Sequence, residues 1–227
     1  MEPVRIALVG AKGRMGRATA AAVEKSSGLT ISARIDRNDS IESAIETCDV
    51  AIDFSTAAAT PEVCRACTKY DKPLVLGTTG HNEAQRTSVA AAAKKIPVVF
   101  ATNFSTGVNV LFALSRLAAE LLGNDFDLDV IEMHHRTKKD APSGTARRLL
   151  EILREARGTE KEIAAKSIRA GDIVGDHTVI FSGSGERLEL VHRAASRETF
   201  AVGALRAARW VIDRPPGLYR MEDVLVS

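Results

Sequence analysis

Short apolar segments alternate with helical segments over residues 1–105. Residues 4–9 form an apolar run that ends at Gly10, residues 15–25 have helical periodicity, and residues 29–35 form a second apolar run. Repeated short buried strands separated by helices predict an α/β fold with a parallel, doubly wound sheet. The further predicted elements of this part are strands at residues 50–54, 74–76 and 98–101 and helices at residues 61–70 and 84–95.

The pattern changes in the second half of the chain. A long apolar helix is predicted at residues 108–122, followed by a strand at residues 128–134 and a helix that starts near Ser143. Alternating strands and a hairpin then predict a second, α+β domain with an open mixed sheet and helices on one side. Its free face is a candidate oligomer interface. These later strands are predicted at residues 166–169, 177–182 and 187–193.

Composition and charge limit the kinds of partner and function that the chain can have. The chain has 227 residues, 45% of them hydrophobic, which is enough for one large domain or two small ones. Its 31 Lys and Arg nearly balance 29 Asp and Glu, so net charge does not support a nucleic-acid or membrane partner. No uninterrupted apolar run approaches the roughly 20 residues that span a bilayer, and the start of the chain leads into a strand instead of a signal peptide. We expect a cytoplasmic protein.

Three cysteines are a sparse and odd set, which fits a reducing compartment better than a disulfide framework. Cys64 and Cys67 match C-x-x-C, but they lie in a predicted helix without a second ligand pair for zinc. We expect ordinary helix packing of Cys64 and Cys67, with no redox or metal role.

A glycine-rich turn between the first strand and the first helix is a candidate phosphate site. Glycines at positions 10, 13 and 16 give a G-x-x-G-x-x-G spacing, which departs from the commoner G-x-G-x-x-G. Such glycines let the backbone approach a pyrophosphate, whose charge is met by the helix N-terminus. The alternative is a tight turn without a ligand. The predicted cofactor-binding residues here are Gly10, Ala11, Lys12, Gly13, Arg14 and Met15.

Asp36 and Arg37 stand at the end of the second predicted strand, where dinucleotide-binding folds contact the adenosine ribose. An acid there accepts hydrogen bonds from a free 2′-hydroxyl, and an arginine can pair with a 2′-phosphate. Having both predicts that either NADH or NADPH is accepted, although Arg37 is also consistent with a solvated turn.

Two further segments, residues 77–80 and 101–105, follow later strands of the same sheet. Open parallel sheets place their ligands at these strand ends, and small residues there permit the close approach of a flat ring. A nicotinamide pocket is therefore predicted, with ordinary loops as the alternative. The predicted cofactor-binding residues of these segments are Gly77, Thr78, Thr79, Ala101, Thr102, Asn103 and Phe104.

Residues 132–146 of the second half contain two histidines and three cations. If the segment is extended, His134 and Lys138 share one face while His135 and Lys139 share the other. An imidazole and an ammonium would then converge, which suits an anionic substrate that must be held and protonated.

A helix start is predicted at the end of this segment. Pro142 and Ser143 fit the beginning of a helix, with Ser143 as its cap. The N–H groups of Gly144 and Thr145 would then lie in the first turn, where a carboxylate can bind.

Residues 132–146, read as E-x-H-H-x-x-K-x-D-A-P-S-G-T-A, resemble the active-site signature of the dihydrodipicolinate reductases. These are nicotinamide-dependent enzymes of bacterial diaminopimelate and lysine biosynthesis. The glycine turn, G-T-T-G at 77–80, A-x-N-F-S at 101–105 and G-L-Y-x-M-x-D-V-L at 217–225 are similar to segments of the same family.

The resemblance implies a Rossmann-type dinucleotide-binding domain at residues 1–105, a substrate-binding and oligomerisation domain at 106–211, and a tail, 212–227, that returns to the first domain. It implies NADPH or NADH as cofactor, a homotetramer, and reduction of the small dicarboxylate 4-hydroxy-tetrahydrodipicolinate. By the same resemblance His134 is the proton donor and Lys138 the cation that orients and polarises the substrate. His135, Gly144 and Thr145 then hold its carboxylates.

One segment departs from the family pattern. Residues 38–47, beside the adenosine site, are fewer than in many relatives, which leaves the choice between NADH and NADPH open. Two other function classes also stay open at this point. These are another imine-reducing amino-acid dehydrogenase, which substrate specificity would separate, and a non-catalytic NAD(P)H-binding sensor, which would bind the cofactor without turnover.

Overall fold

The computed structural model describes residues 2–158 and 163–226. The chain divides into two compact units. One unit combines Met1–Ser105 with Glu198–Ser227, and the other is Thr106–Arg197. The chain thus leaves the first unit after Ser105 and returns to it at Glu198.

A parallel sheet forms the centre of the first unit. The strands, numbered along the chain, are β1 (Val4–Val9), β2 (Leu29–Ile35), β3 (Val50–Asp53), β4 (Leu74–Leu76), β5 (Pro97–Phe100) and β10 (Gly217–Tyr219). They lie in the order β10-β5-β4-β3-β1-β2, and every pairing among them is parallel. The carboxyl ends of these strands therefore meet at one edge of the sheet, where parallel sheets place their ligands.

Helices cover both faces of this sheet. Alternate residues of β1 point to opposite sides: Ile6 and Leu8 join one buried cluster, and Ala7 and Val9 join the other. Burial on both faces explains why these strands are continuously apolar. The predicted Rossmann-type, doubly wound sheet is confirmed. The helices of the unit are α1 (Arg14–Glu24), α2 (Ile41–Glu46), α3 (Thr60–Lys69), α4 (Glu83–Ala93), α7 (Glu198–Val211) and α8 (Met221–Leu225).

Helix α7 belongs to a different unit from the one predicted. The second domain is predicted to extend to residue 211, whereas the chain rejoins the first unit at Glu198. The physical reason is burial, because Ala201, Ala204 and Leu205 of α7 lie in the cluster that also contains Ile6 and Leu8 of β1. The predicted return of residues 212–227 follows from the same packing.

The short segment between β2 and β3 contains a helix that the pattern did not predict. Ser40 caps α2 by accepting a hydrogen bond from the Ser43 N–H, and Ile41 and Ile45 are buried. Ile41 and Ile45 lie one turn apart on the helix, and both join the buried cluster on one face of the sheet. The shortened segment is therefore structured between residues 41 and 46.

The second unit is built on a mixed sheet. Its strands are β6 (Asp127–His134), β7 (Ala165–Arg169), β8 (Gly175–Ser182) and β9 (Arg187–Ala194), and its helices are α5 (Thr106–Leu122) and α6 (Gly144–Arg157). The order is β7-β6-β8-β9, with β6 parallel to β7 and the other two pairings antiparallel. Both helices contribute side chains to a single buried cluster with Val130, Val179 and Phe181. The predicted open mixed sheet, with helices on one side, is confirmed.

Helix α5 is longer and more apolar than most surface helices. Among the described residues, Thr106–Asp125 is the one helical segment that passes a test for membrane crossing based on length and composition, with a hydropathy of 1.2. Polar residues, among them Asn109, Ser115 and Arg116, interrupt its apolar positions, so the segment is not an uninterrupted apolar run. One third of the segment, 33%, is buried, and this part includes Val108, Leu111 and Phe112 in the cluster of the second unit.

The three cysteines are buried and form no disulfide, and the predicted helix packing of Cys64 and Cys67 is confirmed. Cys48, Cys64 and Cys67 join the cluster that α2, α3 and α4 form on the first sheet. Burial raises the pKa of the Cys64 thiol to about 12, with a smaller contribution from Asp53. These thiols are therefore protonated and unreactive at neutral pH.

A first prediction concerns the packing of α7. A Cβ atom at Gly203 would lie 1.8 Å from the backbone oxygen of Phe104, so Gly203→Ala forces the helix away from the chain beneath it. We expect the variant to lose roughly 1–3 kcal/mol of unfolding free energy in urea, although alanine at an ordinary helix position stabilises by about 1 kcal/mol. Val202→Ala, at a neighbouring position that is 54% exposed, is the control and should change little. A Gly203→Ala protein as stable as the parent would contradict this packing.

Candidate active site

The glycine-rich turn of the first unit brings two backbone segments into close contact. Gly10 has a φ of 80°, and a Cβ atom on it would lie 2.5 Å from the Phe54 backbone oxygen. A Cβ atom on Gly16 would lie 2.2 Å from the Gly10 oxygen. Helix α1 then starts at Arg14 with Gly13 as N-cap and no side-chain capping bond. Only glycine permits this cradle, and a helix N-terminus without a side-chain cap suits an anionic ligand.

A cavity lies beside this turn, at the ends of β1 and β2. Its volume is about 500 Å³, and it is open to solvent. The Lys12 N–H donates to Asp36 Oδ1 at 3.1 Å, which ties the glycine turn to the acid at the end of β2. Arg37 is exposed and does not line the cavity, whereas Arg17 and Arg34 do. The lining residues are Ala11, Lys12, Arg17, Ala20, Ala21, Glu24, Arg34, Asp36 and Asp39.

The loops after β3 and β4 are joined by a buried carboxylate that sequence reasoning missed. Asp53 Oδ1 accepts hydrogen bonds from the Ser55 N–H at 2.8 Å, the Ser55 hydroxyl at 2.5 Å and the Thr78 hydroxyl at 3.1 Å. Burial raises the pKa of Asp53, and the hydrogen bonds from Ser55 and Thr78 oppose that rise. An acid at the last position of a buried apolar strand was the available signal. Thr78, one of the predicted residues, is thus held by a side chain of the adjacent strand.

Two aromatic rings pack beside the same loops. A Cβ atom on Gly77 would lie 2.1 Å from the Phe54 ring, and the Phe104 ring meets that of Phe54 edge to face at 5.9 Å. Asn103 Oδ1 accepts from the Ser105 N–H at 2.9 Å, which fixes the segment after β5. Thr79 and Thr102 are exposed and Ala101 is partly buried. The predicted residues of the two loops therefore gather at the carboxyl edge of the sheet.

The candidate centre of the second unit is a buried network around His134. Glu132 and His134 lie two residues apart on β6, so their side chains share the face that meets the core. His134 Nδ1 lies 2.5 Å from Glu132 Oε2. Two nitrogens of Arg169, on β7, donate to the same carboxylate at 2.9 and 2.7 Å. The Ser143 N–H donates to Glu132 Oε1 at 3.2 Å, so the start of α6 joins the network.

A second histidine completes the network. His177, on β8, is 2% exposed, and its ring meets that of His134 edge to face at 5.3 Å. Its Nε2 atom lies 3.1 Å from the Ser143 hydroxyl. Burial lowers the pKa of His177 to about 3, with a further contribution from His134. His177 is therefore neutral at physiological pH.

The charges of the network are set by burial and hydrogen bonding. Burial would raise the pKa of Glu132, but hydrogen bonds from Arg169, Ser167 and His134 lower it to about 2. Burial lowers the pKa of His134, the Glu132 carboxylate opposes this, and Lys138 and Arg169 lower it further. Glu132 is therefore ionised at neutral pH, while His134 titrates below its ordinary range.

The loop between β6 and α6 is not extended as predicted. Strand β6 ends at His134, and a turn at residues 136–137 reverses the chain, closed by a hydrogen bond from the Lys138 N–H to the His135 oxygen. The alternation of faces that was predicted to bring His134 and Lys138 together is therefore wrong beyond His134. Lys138 is still close enough to lower the pKa of His134, and its Nζ lies 2.8 Å from Asp140 Oδ1.

The other predicted substrate residues lie on the same loop and helix start. His135 Nδ1 lies 2.8 Å from the Thr137 hydroxyl, within the turn. Ser143 is the N-cap of α6, as predicted, and its hydroxyl accepts from the Ala146 N–H at 3.1 Å. Gly144 and Thr145 are the first residues of the helix, and a Cβ atom on Gly144 would meet no atom closer than 4.0 Å.

Three residues of this network were not assigned by sequence reasoning. Glu132 could have been found, because it lies two positions from His134 on a predicted strand. Arg169 and His177 stand far away in sequence and arrive only through the pairing of β7 and β8 with β6. Within residues 2–158 and 163–226, no group of three or more His, Cys, Asp or Glu side chains is placed to hold a metal ion.

Family comparisons cover nearly the whole chain. Residues 4–104 match the family described as dihydrodipicolinate reductase, N-terminus, and residues 107–225 match dihydrodipicolinate reductase, C-terminus. The 4-hydroxy-tetrahydrodipicolinate reductase of Akkermansia muciniphila is 50% identical, covering 98% of this chain and 98% of that protein. The enzyme of the same name from Alkalilimnicola ehrlichii is 45% identical, covering 97% and 98%.

A solved structure agrees with these relatives. Dipicolinate-bound dihydrodipicolinate reductase from Paenisporosarcina sp. TG-14 has a TM-score of 0.80 and 25% sequence identity, covering 96% of this chain and 97% of that one. Both halves of the family pattern, the glycine-rich turn before α1 and the histidine-bearing segment before α6, are present in one chain. The chain belongs to the dihydrodipicolinate reductase family.

Proposed function

We propose that the chain catalyses the reduction of 4-hydroxy-tetrahydrodipicolinate to tetrahydrodipicolinate, with a pyridine nucleotide as the reductant, in diaminopimelate and lysine biosynthesis. The observation that carries the proposal is the network around His134. It combines a buried imidazole hydrogen-bonded to a buried carboxylate, an ammonium nearby and the first turn of a long helix. The relatives of the same name, 40–50% identical over almost their full length, support the same reaction.

The cofactor belongs to the first unit in this proposal. The cradle that side chains at Gly10 and Gly16 would fill fits a pyrophosphate, and Asp36, at the edge of the adjoining cavity, fits a ribose hydroxyl. When bound, the reduced nicotinamide supplies a hydride to carbon 4 of the conjugated imine that forms when the 4-hydroxyl group is lost. The residues proposed to bind it are Gly10, Ala11, Lys12, Gly13, Arg14, Met15, Asp36, Arg37, Gly77, Thr78, Thr79, Ala101, Thr102, Asn103 and Phe104.

The second unit supplies the proton and the anion-binding groups. Negative charge develops at the ring nitrogen of the substrate during reduction, and protonated His134 donates its proton there. The Lys138 ammonium stabilises the same charge and orients the substrate. His135 and the N–H groups of Gly144 and Thr145, in the first turn of α6, hold the two carboxylates.

We also propose that the protein is a homotetramer in the cytoplasm. The open face of the second sheet carries apolar side chains from all four strands: Ile131 and Met133 on β6, Ile168 on β7, Ile180 on β8 and Val191 on β9. Ile168 and Val191 are 44% and 42% exposed. Charged pairs such as Lys166 with Asp129 stand on the same face. An apolar centre with charged groups is typical of a subunit interface.

A second prediction tests whether the first unit binds the cofactor while the second unit supplies the proton. His134→Gln and Lys138→Ala should each lower turnover by roughly 10²–10⁴-fold, because proton donation and charge stabilisation are lost. Cofactor affinity, measured by nucleotide fluorescence titration, should stay within about twofold of the parent, since the glycine turn is intact. Lys139→Ala, at the neighbouring exposed lysine, is the control and should retain turnover. Equal loss of turnover and cofactor affinity would contradict the assignment.

A third prediction concerns the choice of cofactor. Arg37→Ala should weaken NADPH binding roughly tenfold and NADH binding much less, because a charged hydrogen bond to the 2′-phosphate is lost. Calorimetric titration with each nucleotide measures both affinities. Arg65→Ala, at an exposed position of α3, is the matched control. An unchanged affinity ratio in Arg37→Ala would show that Arg37 does not contact the phosphate and would turn attention to Arg34 and Arg17 in the cavity.

A fourth prediction concerns assembly. Sedimentation of the parent should give a species about four times the 24.3 kDa mass of the chain. Ile180→Asp places a charge in the centre of the open sheet face and should reduce that mass, because a buried unpaired charge opposes association. Leu121→Asp, at a 76% exposed position of α5, is the control for charge at an apolar surface site and should remain assembled. A monomeric parent would contradict the proposal.

A further inference from the structure

The Glu132 carboxylate is buried, and hydrogen bonds reach both of its oxygens. It is fully buried, and its two oxygens accept from His134, from two nitrogens of Arg169 and from the backbone of Ser143. Arg169 is itself fixed by bonds to the oxygens of Asp140 at 2.6 Å and Ile168 at 2.8 Å. The carboxylate is therefore held on one side by a rigid guanidinium and presented on the other side to one histidine.

An ionised carboxylate can only accept hydrogen bonds. The Nδ1 atom of His134 must therefore carry a proton, in the neutral ring as well as in the charged one. The neutral ring then has its lone pair on Nε2, and protonation at Nε2 gives the imidazolium. The pairing with Glu132 thus determines which nitrogen of His134 exchanges a proton.

The Nε2 side of the ring is bordered by a glycine. A Cβ atom at Gly175, on β8, would lie 3.0 Å from His134 Nε2, so the missing side chain at this position prevents a tight contact with that nitrogen. The charged and titratable groups near the ring are Glu132 on β6, Arg169 on β7, His177 on β8 and Lys138 in the loop before α6. Arg169 and Lys138 disfavour the imidazolium, His177 is neutral, and Glu132 alone among these groups favours it.

We propose that Glu132, anchored by Arg169, is the positioning residue of the reaction: it fixes the Nδ1–H tautomer of His134 and directs Nε2 to the group that is protonated. The same carboxylate anchors Ser143, so it also sets the start of α6, where the substrate carboxylates are proposed to bind. Glu132 itself touches neither the substrate nor the cofactor in this account. The inference rests on the proposed role of His134 as proton donor.

A direct test uses the protein without any assay of activity. Nitrogen-15 NMR of the histidine rings over a pH titration, with His134 assigned by comparison with His134→Gln, reports the protonation of each nitrogen. We expect Nδ1 of His134 to stay protonated throughout and Nε2 to titrate. A neutral His134 ring with its proton on Nε2 would overturn the inference, whatever the kinetics show.

The kinetic test uses Glu132→Gln, which keeps the size and one oxygen for the Ser143 N–H but removes the charge. Without that charge, Arg169 and Lys138 act unopposed, and the pKa of His134 falls further. The donor form of His134 is lost as pH rises through this pKa, so the fall in kcat with rising pH should begin at a lower pH. Near pH 8 kcat should drop by at least about tenfold, with partial recovery at lower pH and a smaller change in KM.

Two further variants serve as a control and as a second test. Glu155→Gln removes a carboxylate that pairs with Arg116 and Arg148 on the helices of the same unit, and it should leave the pH profile unchanged. Arg169→Lys keeps the charge but loses the two-point grip, and it should shift the profile in the same direction as Glu132→Gln. Arg169→Lys also replaces Glu132→Gln as the test variant if Glu132→Gln does not fold.

The outcomes separate the two proposals. If His134→Gln is inactive while Glu132→Gln and Arg169→Lys keep the parent pH profile, the positioning role of Glu132 is wrong and the proposed function stands. If His134→Gln turns over like the parent, His134 is not the proton donor, and the proposed mechanism fails independently of the ring protonation measured by NMR.

Discussion

The negative charge of a buried carboxylate must be balanced by groups that contact it, because transferring an unpaired charge out of water costs several kcal/mol. Glu132 is fully buried on β6, and its compensation comes from the neighbouring strand through Arg169 and from the start of α6 through Ser143. The second unit must therefore assemble its strands and α6 in one register for this charge to be satisfied. His134 lies in that network as one of the donors, so the requirement that stabilises the unit also fixes the candidate catalytic ring.

The first unit depends on a different constraint, the close approach of backbone to backbone. Side chains at Gly10 and Gly16 would overlap with backbone atoms, so the turn after β1 and the start of α1 can meet only where there is no Cβ atom. Asp53 ties the next two strand ends together through Ser55 and Thr78. We propose that backbone groups of the first unit bind the cofactor and side chains of the second carry the proton, and on that basis we expect the two functions to be separable by mutation.

The sequence predicted what local patterns determine. Continuous apolar strands between helices gave the doubly wound sheet, alternation gave the mixed sheet, and Ser143 was recognised as a cap because capping depends on neighbours within one turn. Non-local facts were missed. The sequence pattern did not show that α7 packs on the sheet of the first unit. Arg169 and His177 reach His134 only through strand pairing, and a turn at residues 136–137 stands where an extended segment was predicted. The burial of Glu132 follows from tertiary packing alone.

The proposed substrate of this chain is the cyclic imine made from pyruvate and aspartate semialdehyde. The most direct measurement follows NADH and NADPH oxidation by the purified parent protein while the preceding synthase forms the substrate in place from those two precursors. We expect rapid oxidation that requires the synthase and both precursors and stops when any one is left out. Tight binding of the nucleotide without oxidation would contradict it, because the dinucleotide site would remain while the substrate assignment fell.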